Sequence, residues 1–291
     1  MRQFHYILQT LLRGKGSNAV KLISLTLGLT VGVLLFSQIV YELNYDTFYK
    51  EHEKLAMFGT RLMKKNGEIT NWEYDTFRPA AAALMESLPE EVECATSFIM
   101  FFQPDIYKDD NKLEDTQVLF GDTLYFRTLG IDMLQGDPRY LAQKGSVFLS
   151  QSKARECFGD ESPIGKKLSM NKSLELTVRG IYEDIPGNVL FRHNLVVSLP
   201  TIEESYGQGT WTSNDIYMVY VRLREADAID RLNVRMPDIL GRYTAVKELW
   251  CGQGNESSAI CGCKNSKGTD SFLSGELGKW KSCMFFKRRN L

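Results

Sequence analysis

IVYELNYDTFYKEHEKL, residues 39–55, joins two kinds of chain. Immediately upstream runs LISLTLGLTVGVLLFSQIV, Leu22–Val40, 19 residues without a charge. At 1.5 Å of rise per residue such a helix is about 28 Å long, close to the ~30 Å hydrocarbon core of a bilayer. A cleaved signal would carry an apolar region of ~7–15 residues followed by a small-x-small site. The exit here, Phe36-Ser37-Gln38-Ile39-Val40-Tyr41, is too bulky for that, so residues 22–40 read as an uncleaved transmembrane helix.

The flanks orient it. Arg2, Arg13, Lys15 and Lys21 precede the run with no acid among them, and Glu42 is the first carboxylate of the chain. Positive residues stay on the cytoplasmic side, which predicts a cytoplasmic N-terminus and an outer domain beyond the inner membrane, in the periplasm. Within residues 1–21, Phe4, Ile7, Leu8, Leu11 and Leu12 keep helical spacing up to Gly14 and Gly16. Two readings stay open there: a short helix lying in the inner interface, or an ordinary polar leader.

In the opening stretch, Tyr41, Tyr45, Phe48, Tyr49 and His52 share one helical face, with no Gly or Pro to end a helix. The spacing predicts a helical stem over 41–55 that carries the membrane helix outward as a stiff rod. Tyr45, Phe48 and Tyr49 are its candidate coupling residues. Part of the stripe, Tyr41 and Tyr45, also suits an interfacial aromatic belt.

The 291 residues suffice for one large outer domain or two small ones, and the net charge of −1 with no basic stripe argues against a nucleic-acid partner. After Val40 no apolar run approaches the length of a second span. Strand-capable runs flank Asn66-Gly67, a tight-hairpin signal, and a further strand pair is expected about DDNK, 109–112. RPAAAALMESLP reads as a helix ending before Pro89. GSVFLSQSKARECFG gives a strand at 146–149, then a helix to Phe158 capped by Ser150 or Ser152. KKLSMNKSLELTVRGIYEDIP reads as strand, turn, strand; HNLVVSL and IYMVYVRLR are two more strands. A last helix over 226–243, kinked at Pro237, completes a mixed α+β domain with several hairpins rather than regular strand–helix alternation.

No catalytic, cofactor-binding or metal-ligating residue emerges. GDESPIGKK, 159–167, has one residue too many between its glycines for a phosphate loop, and Lys167 stands where Ser or Thr should be. It reads as a turn before a strand. DDNKLED lacks the glycine of a calcium loop, and His5, His52 and His193 are dispersed. Cys94 and Cys157 could pair in an oxidising compartment, but two separate buried thiols suit them better.

Five stretches together resemble the MacB-like periplasmic core domain of FtsX-type ABC transporter permeases, especially the long Bacteroidetes-type ones. YELNYDTFYKEHEKL is similar to the family's juxtamembrane E-L-S-Y-D-x-F-H, and LMESLPEEVECATSF to its Leu-x-x-x-x-Pro-x-Val-Glu segment. VLFGDTLYFRTLGIDMLQGDP, GSVFLSQSKARECFGDESPIGKKL and LTVRGIYEDIPGN follow in the family's order. The resemblance implies a porter-like domain with an inserted smaller part, over about 56–246. It implies a non-enzymatic permease, paired as a dimer and with a separate cytoplasmic ABC ATPase. ATP-driven motion would pass through helical stems to act on a lipoprotein, peptide or drug. The other reading of the chain is a single-span anchored ligand-binding or sensor domain, though only about 21 residues lie on the cytoplasmic side to carry an output.

Family members continue into further spans, and residues 247–291 do not look like one. KELWCGQGNESSAICGCKNSKGTDSFLSGELGKWKSCMFFKRRNL holds Cys251, Cys261, Cys263 and Cys283 at spacings that fit no common zinc pattern. Rich in Gly and Ser and without apolar periodicity, it is expected to be disordered. A frameshift or premature stop, leaving a truncated permease, would explain it; so would a divergent tail that pairs disulfides outside the cell.

Overall fold

The computed structural model describes residues 17–63, 69–73, 75–206, 209–211, 216–229 and short pieces beyond, at 231–232, 235, 239, 258–259, 263–264, 270–271 and 283–288. The chain divides into two compact units, one ending at Tyr45 and one beginning at Asp46.

The first unit is α1, Ser17–Leu43. Val20–Leu43 is long and apolar enough to cross a membrane, with a mean hydropathy of 2.0, and Ile23, Leu25, Leu29, Val33 and Phe36 are all exposed along it. The hydroxyls of Thr26 and Thr30 donate back to the carbonyls of Leu22 and Thr26, each at 2.8 Å, so neither brings an unmet polar group into lipid. At the far end the Val40 carbonyl accepts both the Asn44 backbone amide, at 3.1 Å, and the Asn44 side-chain amide, at 2.8 Å. The helix stops at Leu43, which corrects the expected rod over 41–55. Asp46 at φ 58° and Glu51 at φ 48° are left-handed, and no α-helix passes through such residues.

The second unit is built on one mixed sheet. Its strands are β1 (Leu55–Met63), β2 (Ile69–Glu73), β3 (Asp75–Thr76), β4 (Val92–Ile99), β5 (Ile106–Lys108), β6 (Asn111–Lys112) and β7 (Val118–Gly121). There follow β8 (Met133–Gly136), β9 (Ser146–Ser150), β10 (Lys167–Met170), β11 (Leu174–Tyr182), β12 (Leu195–Ser198) and β13 (Tyr217–Leu223). The main order is β1-β13-β4-β7-β12-β9-β11-β10-β5-β6, with β2 on β1, β3 on β13 and β8 on β11. Helices α2 (Ala80–Ser87), α3 (Tyr125–Leu129), α4 (Gln151–Phe158) and α5 (Pro200–Tyr206) complete it. The pairs β7–β12 and β9–β11 are parallel and the remaining main-path pairs antiparallel, as a mixed α+β domain requires.

The period-2 alternation of the strands assigns the cores. Val118 and Phe120, Val147 and Leu149, and Leu195 and Val197 point into one cluster, while Leu119, Phe148 and Val196 between them point into another. Along β1 and β13 the alternation continues: Ala56, Phe58, Val219 and Val221 join a third cluster under α2, while Met57 and Tyr220 join the second. One face of the sheet thus carries a continuous aromatic-rich core, and the other carries two separate cores side by side.

Several expected elements are present. β1 and β2 pair across residues 64–68, which lie outside the described residues with Asn66-Gly67. β5 and β6 make the DDNK hairpin, and Ser150 caps α4 by accepting from the Lys153 amide at 3.3 Å. GDESPIGKK is a turn running into β10. Cys94 and Cys157 are free and buried, and burial pushes both thiols up in pKa. Of the last helix, Ala228, Ile229 and Leu232 are described as helical and buried, whereas Pro237 lies outside the described residues. In the tail the described pieces are short strands, with Cys283–Arg288 antiparallel to β1; the rest of 247–291 lies outside the described residues.

Candidate functional site

Residues 46–51 lie on the aromatic face as a strap fastened at both ends. At its start Asp46, only 8% exposed, donates its amide to the Asn188 carbonyl at 2.8 Å, and its carboxylate accepts the Leu190 amide at 2.9 Å. The left-handed backbone at Asp46 is what turns both groups toward the 188–190 loop. Asp tolerates that conformation better than most residues.

At its end the strap meets Arg222. This residue sits in β13 between Val221 and Leu223, which face the opposite core, so its side chain falls on the aromatic face, where it is 4% exposed. A buried guanidinium must be paired. Its Nε donates to the Thr128 carbonyl and its Nη2 to the Lys50 carbonyl, both at 2.9 Å, and Nη1 lies 3.6 Å from the Glu51 carboxylate. Thr128 belongs to the last turn of α3, whose carbonyls have no partner within the helix. A single side chain therefore satisfies a helix end and holds the strap.

Gly130 makes the approach possible. It ends α3 at φ 71°, and a Cβ there would come within 2.8 Å of both Arg222 Nη2 and Lys50 Cβ. Lys50 also pairs with Asp132, whose amide donates to Glu183 Oε1 at 2.6 Å. Glu51 is paired with Lys54 at 2.5 Å, and that bond holds its pKa below the usual carboxylate value.

Between the two ends Tyr49 enters the core, 4% exposed, with Phe48 half-buried against it at 5.6 Å in an edge-on arrangement. The core beneath is a set of buried rings: Phe98, Tyr125, Phe126, Phe148, Tyr182 and Tyr220. His193 is sealed among them. Its Nδ1 faces the Phe191 carbonyl at 2.8 Å and so carries the proton, leaving Nε2 to accept from the Tyr125 hydroxyl at 3.2 Å. Burial lowers its pKa to about 4, the Phe191 hydrogen bond opposing. The loop gripped by Asp46 is thereby anchored from below.

Two further carboxylates brace this frame. Asp122, pushed up in pKa by burial against its hydrogen bonds, accepts from Thr96 Oγ1 at 2.6 Å and from the Ser97 and Leu124 amides at 2.9 Å. It ties α3 to β4. Asp184 accepts from the Ser152 amide at 2.8 Å and hydroxyl at 2.6 Å, fixing the start of α4; burial opposes, but these bonds bring its pKa down.

Of the three candidate residues, Phe48 and Tyr49 are thus brought together in the domain core, while Tyr45 is half-buried and belongs to the helical unit. Sequence reasoning missed Asp46, Gly130, Asn188 and Arg222. One signal was available: Arg222 is a cation inside the apolar run IYMVYVRL. The arrangement is a mechanical fastening. His193 has both ring nitrogens engaged and no solvent access, so it is placed to hold a loop and not to move protons to a substrate.

The family model of the MacB-like periplasmic core domain matches residues 20–239. Among solved structures, a domain of a protein described as a permease from Porphyromonas gingivalis superposes with a TM-score of 0.62 at 20% identity, covering 83% of this chain and 92% of that one. The periplasmic region of MacB from Actinobacillus actinomycetemcomitans gives 0.46 at 17% identity, covering 65% and 85%. The extracellular domain of the ABC-type transporter YknZ from Gram-positive bacteria gives 0.48 at 14%, covering 71% and 99%. No curated protein matches the chain.

Proposed function

The chain belongs to the family of MacB-like periplasmic core domains, and from that membership we propose that it is the outer, motion-coupling part of an ABC transporter permease subunit. In this reading α1 is anchored in the inner membrane with its N-terminus in the cytoplasm, and the sheet domain stands in the periplasm. A permease dimer works with a cytoplasmic ATPase, and the domain is moved rather than catalytic. Its work is efflux or the handling of a lipoprotein or peptide on the outer side.

The observation that carries this reading is the strap. Three residues after the last helical residue, Leu43, the chain is fastened to the domain by Asp46, Tyr49 and Arg222. A binding domain merely tethered to a membrane needs no such fastening, and a loose linker would serve it. A domain that must follow displacements of its membrane segment needs a joint that does not slip.

The test is co-purification of the full chain, in detergent, with the ABC ATPase encoded beside it. Recovery of a complex whose ATP hydrolysis changes on binding the chain supports the coupling role. Recovery of the chain alone under conditions that retain other permease–ATPase pairs rejects it.

A further inference from the structure

We propose that Phe101 and Leu190 form an apolar footing that rests in the headgroup layer of the bilayer. The proposal takes α1 as a membrane span. Among the described residues outside α1, Phe101 is the most exposed large apolar side chain, at 75%, and Leu190 is 39% exposed. They belong to two stretches without a charge, IMFFQP at 99–104 and IPGNVLF at 185–191. A single exposed apolar residue is ordinary, whereas neighbouring ones with a polar rim mark a partner or a membrane.

The fold brings the two stretches together. The Phe98 and Phe191 rings meet edge-on with centroids 5.3 Å apart, three residues before Phe101 and one after Leu190. β4 runs antiparallel to β7, and β7 parallel to β12, so the end of β4 lies beside the beginnings of the other two. Gln103 fixes the turn there. Its side-chain nitrogen donates to the Met100 and Val118 carbonyls at 3.0 and 3.1 Å, and its oxygen accepts the Val118 amide at 3.0 Å. Phe102 packs half-buried against the core beneath β7 and β12, which leaves Phe101 in solvent.

The path of the chain says what covers this patch. The Leu190 amide is held by Asp46, and Asp46 follows Leu43, the end of the span, by three residues. That is no more than roughly 10 Å of extended chain, so Leu190 lies within reach of the polar layer that begins where the span ends. Phe and Leu bury readily at the boundary of headgroups and acyl chains. Arg192, exposed at the rim, can lay its stem on that layer and keep its charge in water. The neighbouring loop, tied on by the Asn194 side chain at the Asp115 carbonyl, adds exposed Glu114 and Asp115. The rim thus has no surplus of positive charge, and the contact rests on apolar area without need of anionic lipid.

The experiment reconstitutes the full chain into phosphatidylcholine nanodiscs whose acyl chains are brominated either close to the headgroup or close to the methyl end. Three substitutions are read as quenching added to that of the parent chain's own tryptophans. They are Phe101→Trp, Val31→Trp near the middle of the span, and Glu90→Trp in the turn before β4, at that strand's other end. None of the three replaces a buried side chain. Phe101→Trp is expected to lose more fluorescence to shallow bromine than to deep bromine, Val31→Trp the reverse, and Glu90→Trp none to either. Phosphatidylglycerol added to the discs should leave the Phe101→Trp loss unchanged. If Val31→Trp is quenched while Phe101→Trp behaves like Glu90→Trp, the footing is overturned and the span stands. An unquenched Val31→Trp overturns the span and the footing together. A blue shift of Phe101→Trp without quenching, growing with the number of chains per disc, makes the cover a second copy and overturns the proposal. So does a loss that appears only with phosphatidylglycerol, which would rest on Arg192 and not on the two stretches.

Discussion

Arg222 donates to the main-chain carbonyl of Lys50 at 2.9 Å, across 172 positions of sequence. No side-chain charge of Lys50 takes part, so the bond reads the path of the backbone and not the identity of the residue. Substituting Lys50 leaves it intact, whereas substituting Arg222 removes it together with the Thr128 contact.

Arg222→Ala should therefore cost about 1–3 kcal/mol of domain stability, because the carbonyl of buried Thr128 is left without its donor and that of Lys50 loses its partner. Arg222→Lys should recover only part, since an ammonium cannot span both acceptors as the planar fork does. Urea unfolding of the detergent-solubilised chain measures both. A loss below about 1 kcal/mol for the alanine variant would show that water replaces the clamp.

Gly130→Ala should destabilise the same joint by about 1–3 kcal/mol, from the positive φ and from the approach to Lys50 and Arg222. Gly165→Ala serves as control: its φ is also positive, at 83°, but its Cβ would meet nothing within 4 Å. If both variants lose stability equally, the crowding at Gly130 carries no weight.

His193 makes stability depend on pH with a definite sign. Its pKa falls from 6.5 to about 4 on folding, so the unfolded chain binds the extra proton first. The contribution is fully present above pH 6.5, falls as the pH drops toward 4, and is exhausted below that. The full shift corresponds to about 3 kcal/mol. His193→Gln should flatten this part of the stability–pH curve, and an unchanged slope between pH 6.5 and 4 would assign it to the carboxylates instead.

Replacing Tyr45, Phe48 and Tyr49 together by Ser in a transport-competent homologue should uncouple transport while leaving the protein in the membrane. Tyr49 should account for most of the effect, as a buried ring is worth about 1.5–3 kcal/mol. Transport unchanged in the triple variant would leave the stripe as an interfacial belt.

Alkaline phosphatase fused after residue 60 should be active, and a cytoplasmic fluorophore fused at the same point dark, if the charge asymmetry about α1 sets its orientation. The opposite pattern reverses the topology.

The sheet was largely legible because apolar alternation and turn chemistry are local. VFL, LVV and the Ser150 cap announce themselves within a few residues. β8 and α3 did not: MLQG has no β-branched residue, and YFRTL is too short to show a helical period. The stem was misread for a different reason. Its aromatic spacing fits a helix, but Asn44 closes the last turn and Asp46 takes its conformation from a loop more than 140 positions away. Tyr49 was found because large aromatics advertise burial. Gly130 and Asn188 act through backbone, which leaves little trace in residue type.

The order of the strap's attachments turns it into a graded fuse. Under the proposed coupling, a pull from the Tyr45 side would load the Asp46 pair first, then the Tyr49 ring, and only afterwards the Arg222 clamp. A pull that breaks the first and spares the others pays out the stretch between Asp46 and Tyr49, roughly 10 Å when fully extended. With that coupling, displacements too weak to break the Asp46 pair are passed on without slip, and only an overload is spent in lengthening the connection before it reaches β13.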